Sequence, residues 1–253
     1  MEPVFNFVDM FEKSIGLKDP WKVTRAEFDP RDKVVHVYVE ARKTARYACP
    51  ECGRQCKRYD DEEDERAWRH ADVVMYPCYI HSRRPRIECP VHGIRVVEAP
   101  WARKGARQTL LFEGYAMMLA ETMTLNEARK VLRISRTALM HIVEYWVNKA
   151  VAETDLSGIE QISLDETSFK RGQSYVTVVG DPVRRRVIGV ENGRDVDAVE
   201  RFSLDLIARK GDCNKITHVS MDMSVTYKKA CELCFPQAKL VYDHFHVKKL
   251  VLD

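Results

Sequence analysis

Apolar and polar positions alternate in the first hundred residues. In "KVTRAEFDPRDKVVHVYVEA", Val35, Val37 and Val39 interleave with His36, Tyr38 and Glu40, the period of a half-buried strand. The stretch reads as two short strands around an Asp-Pro turn. From residue 107 the period becomes helical. Leu110, Leu111, Tyr115, Met118 and Leu119 suit a first helix. Thr124 followed by Glu127 is a capping-box pattern for a second, with Leu125, Ala128, Val131 and Leu132 on one face. After the turn "RIS", Ser135 suits an N-cap. The third helix carries Leu139, Ile142, Val143 and Trp146 at i, i+3, i+4 and i+7.

Beyond residue 159 the pattern is mixed. "QISLDETSF", "SYVTVVGD" and "RRVIGVEN" read as strands and "DVDAVERFSLDLIARKG" as a helix. "KITHVSMDMS" is a fourth strand, "TYKKACELCF" a helix and "AKLVYDHFHV" a fifth strand. The order β-β-β-α-β-α-β predicts a meander followed by crossovers that favour parallel pairing. The expected fold class is therefore α+β and multidomain. A small β-rich unit spans 1–100, a helical region 101–155 and an α/β domain 156–253.

Composition narrows the function classes. Apolar residues at 45% allow a sizeable core, and charged residues at 31% argue against broad disorder. No apolar run is long enough to span a bilayer, and "MEPVFNFVDMFEKS" is not a secretory signal, so the cytoplasm is the expected location. Eight cysteines there point to metal binding for the paired ones. The formal net charge of +3 is unevenly spread. The acids "DDEEDE" at 60–65 are expected in a solvated loop. Residues 101–150 hold eight Lys/Arg against four Asp/Glu, a local basic patch of the kind that matters for nucleic acid.

Two half-sites, Cys49-x-x-Cys52 and Cys89-x-x-His92, each have Pro after the first Cys and Gly after the last ligand. Such knuckles turn backbone N–H groups toward thiolates, and three Cys with one His is a common structural zinc set. Strands can fill the 36 residues between Cys52 and Cys89. Cys56 and Cys78 are rivals for the fourth position. Cys231-x-x-Cys234 lacks a second half-site and reads as helix core.

Two helices joined by a short turn after a preceding helix fit a helix-turn-helix. Arg136, Thr137, Met140 and His141 would face base edges, and Arg129, Lys130 and Arg133 phosphates. A plain helical linker with a solvated basic face has the same pattern, and the neighbouring zinc knuckles favour DNA. Arg103, Lys104 and Arg107 either enter a groove or are solvated.

Asp165, Asp222 and Asp243 each follow an apolar strand-like run. Placing the first and fourth strands side by side brings Asp165 and Asp222 together. Adjacent carboxylates repel unless a cation neutralises them. Magnesium accepts such oxygens, and two such ions can serve phosphodiester cleavage. Glu166 and Asp181 read as ordinary loop acids. His244 and His246 share a strand face and are as readily structural as functional.

The segments "CPECG…RPRIECPVHG", "LNEARKVLRISRTAL", "ISLDETSFKRGQSYVTVVGD" and "VSMDMSVTYKKACELCFPQAKLVYDHFHVKKLV" together resemble the insertion-sequence transposases of the ISL-three type. The resemblance implies an N-terminal zinc-binding domain, a helix-turn-helix and a ribonuclease-H-like catalytic domain with an Asp-Asp-Glu triad. It implies Asp165 and Asp222 as the first two catalytic acids, with Asp243 in a supporting role. The implied cofactors are structural Zn2+ and catalytic Mg2+ or Mn2+. The implied partners are double-stranded DNA, both terminal inverted repeats and target, and further copies of the chain, since paired-end cutting needs at least a dimer. No membrane is implied, and the implied location is the nucleoid in a bacterial cytoplasm. The family's third acid, a Glu beyond the fifth strand, has no counterpart here. The expectation is a catalytic domain lacking its C-terminal part, whose missing ligand would leave the chain inactive as it stands. The alternative function is a non-catalytic DNA-binding fragment acting as inhibitor or regulator.

Overall fold

A computed structural model describes residues 7–170 and 174–243 and divides the chain into two compact units, one up to Glu144 and one from Tyr145. In the first unit the helix α1 (Phe7–Ile15) precedes eight strands. The hairpin β1 (Trp21–Asp29) and β2 (Val34–Ala41) forms as the alternation predicts. Asp29 Oδ1 accepts the N–H of Arg31 at 2.8 Å in its turn, an Asx-type contact. Then follow β3 (Arg46–Ala48), β4 (Gln55–Asp61), β5 (Arg66–Val73), β6 (Tyr76–Ser82), β7 (Pro85–Cys89) and β8 (Gly93–Val96).

These strands sort into two four-stranded sheets, β1-β2-β6-β5 and β3-β4-β7-β8. The hairpin β5–β6 leaves the second sheet to join the first, with β6 parallel to β2. That excursion fills the long interval between the knuckles. One core serves both sheets. Val35, Val37, Val39, Cys78 and Ile80 join Trp21, Trp68 and Trp101, with Cys49 and Cys89 at its margin. Trp101 meets Trp21 and Trp68 edge-on, with centroids 5.1 and 5.5 Å apart.

The acid run is only partly a solvated loop, with Glu63 and Asp64 exposed between β4 and β5. Asp60 and Asp61 belong to β4 and pair with Arg86 and Arg58. Glu62 takes Arg84 at 2.8 Å, and Glu65 faces His81 at 3.2 Å. Arg84 and Arg86 come from beyond the β5–β6 hairpin, so their partnership was invisible in the local charge pattern, whereas Arg58 is only three residues from Asp61.

The helices α2 (Leu110–Thr122), α3 (Leu125–Leu132) and α4 (Arg136–Glu153) form, and the last two start where their caps predict. Thr109 accepts the N–H of Phe112, and Thr124 and Glu127 close a complete capping box. Ser135 Oγ accepts from Ala138 N at 3.1 Å. The buried face of α2 differs from the apolar set read in sequence. It buries Phe112, Ala116 and Leu119 and leaves Leu110, Leu111, Tyr115 and Met118 exposed. Val131 of α3 is likewise exposed.

His70 ties β5 to the start of α2, its Nδ1 lying 2.9 Å from Thr109 Oγ1. Burial, with the charge of Arg69 added, pushes its pKa down to about 4. The folded chain thus refuses a proton that the unfolded chain accepts below about 6.5. Stability from this group is complete above that pH and falls as pH drops toward 4, by up to about 3 kcal/mol. Urea titrations at pH 7 and pH 4.5 should show the loss, and His70→Gln should flatten the difference.

The second unit holds β9 (Gln161–Lys170), β10 (Ser174–Asp181), β11 (Arg186–Asn192), α5 (Val196–Ala208), β12 (His218–Met221), α6 (Val225–Cys234) and β13 (Lys239–Tyr242). Their order agrees with the sequence reading. The sheet runs β11-β10-β9-β12-β13. β9, β10 and β11 are antiparallel, and β12 lies parallel between β9 and β13. Ile162, Leu164, Val179, Val219 and Met221 meet Phe202 and Leu206 of α5 and Tyr227 and Cys231 of α6 in a separate core. Gly189 permits that contact, since a Cβ there would lie 2.6 Å from the Phe202 ring.

Candidate metal centres and nucleic-acid interface

The two knuckles converge. One ligand atom from each of Cys49, Cys52, Cys89 and His92 lies within 4.8 Å of the others. Cys52 Sγ is 3.8 Å from Cys89 Sγ, and His92 Nδ1 is 3.7 Å from both Cys49 and Cys89 Sγ. Tetrahedral zinc with Zn–S near 2.3 Å sets sulfurs about 3.8 Å apart, so this donor set fits the ion. Gly53 and Gly93 end the knuckles at φ 70° and 68°, where a side chain would strain the turn. The backbone N–H groups of Val91 and His92 hold the Cys89 thiol down at about 6, favouring the thiolate a metal needs.

Neither rival joins the four. Cys56 is buried with its Sγ 3.3 Å from the Arg54 carbonyl. Cys78 lies in the sheet core, where burial pushes its thiol up to about 12. Cys231 is similarly pushed up to about 12 inside α6, in keeping with a helix-core role.

On α4, the side chains of Arg136, Thr137, Met140 and His141 are exposed. On α3, Lys130 is exposed, and Arg129 Nε donates to Asn126 Oδ1 at 2.9 Å. Two other basic residues are engaged within the protein. Arg133 sits at φ 56° in the α3–α4 turn and bonds Asp72 and the Met75 carbonyl. Arg103 grips both oxygens of the fully buried Glu113 at 2.9 and 3.0 Å, which makes it a clamp on α2. Lys104 and Arg107 are exposed.

Strand register sets the level of the three acids. β12 pairs β9 through Val219↔Ile162 and Ser220↔Ser163, its last pair, and that register carried two residues on would set Asp222 level with Asp165. β12 pairs β13 through Met221↔Tyr242, and Asp243 N donates to Met221 O at 2.7 Å. Asp243 therefore stands level with Asp222 on the other side. Asp165 does not end its strand. β9 continues to Lys170 because β10 still pairs with it after β12 has left. Asp222 Oδ1 accepts the Ser224 N–H at 2.9 Å, which fixes it before the N-terminus of α6, the favourable end for a negative charge. Among the described residues, these three carboxylates do not close into a ligand cluster as the Cys/His group does.

Tyr227 escaped the sequence reading. It is fully buried, with its hydroxyl 2.9 Å from Thr177 Oγ1, which donates to Gly193 O at 2.9 Å. Burial raises its pKa, as do the charges of Glu166, Asp222 and Asp165, so it lies beside the acids. Nothing in its local pattern distinguishes it from a core tyrosine. Glu166 faces Arg194 at 3.6 Å. Asp181 is buried and caps its turn through the N–H groups of Val183 and Arg184, a structural acid as expected. His244 and His246 lie outside the described residues.

Comparison with known proteins yields three family matches. "Zinc-finger of transposase IS204/IS1001/IS1096/IS1165" covers residues 45–92. "Helix-turn-helix domain of transposase family ISL3" covers 97–147, and "Transposase" covers 162–253. The chain is similar to the transposase for insertion sequence element IS1557 of Mycobacterium tuberculosis, 29% identical over 245 residues, 95% of this chain and 55% of that protein. It is also similar to the transposase for IS1001 of Bordetella parapertussis, 26% identical over 237 residues, 93% of this chain and 57% of that protein. The chain thus spans little more than half the length of these relatives. No helix among the described residues is long and apolar enough to cross a membrane.

Proposed function

The chain belongs to the ISL3 family of insertion-sequence transposases, and from that premise we propose that it binds DNA ends and acts in their cleavage and strand transfer. The parallel pairing of β12 with β9, whose register carried on would bring Asp222 level with Asp165, carries this reading. We take residues 1–100 as the zinc-binding domain, 101–155 as the DNA-binding region and 156–253 as a ribonuclease-H-like domain. The sheet order β11-β10-β9-β12-β13 supports the last assignment.

Cys49, Cys52, Cys89 and His92 hold zinc in a structural role, since all four tetrahedral positions come from the protein. Arg136, Thr137, Met140 and His141 present α4 to base edges. Arg129 and Lys130 contact phosphates, while Arg133, expected among them, is held by Asp72 and the Met75 carbonyl and braces the turn instead. Asp165 and Asp222 would hold Mg2+ or Mn2+, with Asp243 in support. Two acids in register offer the hard oxygen donors these ions prefer. When bound, such ions activate water and neutralise charge at the phosphate. Asp222 is oriented by the Ser224 N–H, and the buried Tyr227–Thr177 contact braces the start of α6 behind it. The substrates on this reading are terminal inverted repeats and target DNA, acted on by an oligomer in the bacterial cytoplasm at the nucleoid.

A second reading, binding without cleavage as an inhibitor or regulator, is favoured by the open spacing of the three acids. End-labelled duplex carrying an element end distinguishes the two. Nicking that requires Mg2+ and stops with chelator supports the first reading. A gel shift with no nicking in Mg2+ or Mn2+ leaves only the second.

A further inference from the structure

The turn between β5 and β6 consists of Val74 and Met75 at φ 50° and 72°. Left-handed backbone is costly for side-chain-bearing residues, most of all for a β-branched one. Two-residue hairpin turns of this kind favour Asn-Gly. Here they hold two apolar side chains, 80% and 81% exposed. Val73 and Tyr76, on either side, pack against the core, but the tip itself gains almost no burial. Its strain and exposure are not repaid within the unit, a combination that points to an external contact.

The position of the tip selects the partner. Arg133, in the turn of the helix-turn-helix, bonds Asp72 and donates to the Met75 carbonyl at 2.7 Å. Asp72 also takes Arg69, so its charge is matched. The tip is thereby fastened three residues before Arg136, at the start of the helix that would enter the major groove. Apolar side chains at such a place are suited to a base step in the adjoining minor groove, where Met, Leu, Ile or Phe wedges unstack and kink duplex DNA.

We propose that the β5–β6 tip is a second DNA-contacting element, an apolar wedge of Val74 and Met75 that enters the minor groove beside the helix-turn-helix. The proposal rests on the DNA-binding reading of α3 and α4. Arg133 is then a bracket that sets the wedge relative to the recognition helix.

The test uses the full chain with Val74→Asn and Met75→Gly combined, which suits the turn while deleting the wedge. The probe is a labelled duplex of mixed sequence about three helical turns long, carrying 2-aminopurine and followed by anisotropy at fixed salt. The variant should melt at or above the wild-type temperature. It should bind about tenfold more weakly, the scale expected for losing two partly buried apolar side chains, and should lose any 2-aminopurine unstacking signal. Met75→Ser, which leaves Val74 in place, should show a smaller loss of the same kind. Unchanged affinity and unstacking in a folded variant overturn the wedge and leave the helix-turn-helix intact. Wild-type chain that does not bind the duplex, even at low salt, overturns both.

Discussion

Replacing Cys89 with Ser, or stripping zinc with a strong chelator, should unfold the first unit and leave the second folded. Structural zinc supplies on the order of 10 kcal/mol or more at neutral pH, about the whole stability of an ordinary domain. The knuckles share a core with Trp21, Trp68 and Trp101, and Tyr47 beside them meets Trp21 edge-on with centroids 6.3 Å apart. Near-ultraviolet circular dichroism from those tryptophans should therefore collapse with the metal. The second unit has its own core around Phe202 and Tyr227, so its melting transition should persist. Zinc analysis should return one ion per chain in the wild type and a large loss in Cys89→Ser. Cys78→Ser should keep the metal, because its thiol lies outside the cluster. An intact tryptophan signal after complete metal removal would count against the structural role.

Asp165→Asn should remove metal-dependent chemistry while sparing the fold. Asp165 is exposed, and Asn matches its size, so stability should change by less than about 0.5 kcal/mol. The pair Asp165–Asp222 loses half its negative charge and one hard ligand. Cleavage should fall by at least about a hundredfold, the scale seen when one transition-state stabilising group is removed. Binding to duplex DNA should be unchanged, since α3 and α4 are untouched. A second readout does not need turnover. Mg2+ or Mn2+ should raise the melting temperature of the second unit in the wild type, because a ligand held only by the folded state stabilises it. That rise should be absent in Asp165→Asn and Asp222→Asn. Equal metal-induced shifts in wild type and variants would remove Asp165 from the site.

Much of this molecule was already written in local patterns. The knuckles were legible because Cys-Pro-x-Cys-Gly and Cys-Pro-x-His-Gly each encode a complete turn, ligands and glycine included. The helix starts were legible because a cap involves residues only three apart, as Thr124 and Glu127 show. The order of elements from β9 to β13 followed from changes of period and from Gly or Pro turns. These features depend on neighbours in sequence, so the sequence alone determined them.

Other features depended on partners far away. Glu62 and Asp60 looked solvated until Arg84 and Arg86 arrived from across the hairpin excursion. Arg133 looked free until Asp72 closed on it, 61 positions earlier. Which face of α2 is buried was decided by what packs there, with Arg69 over the Phe112 ring at 5.1 Å, not by the count of its apolar residues. The level at which Asp165, Asp222 and Asp243 stand is a matter of strand register, and a slip of one residue would turn each to the other face. That register is fixed by the buried core of the second unit and by long-range pairing. The sequence therefore supplied the chemistry of the site, and the tertiary structure decided which of those groups stand together.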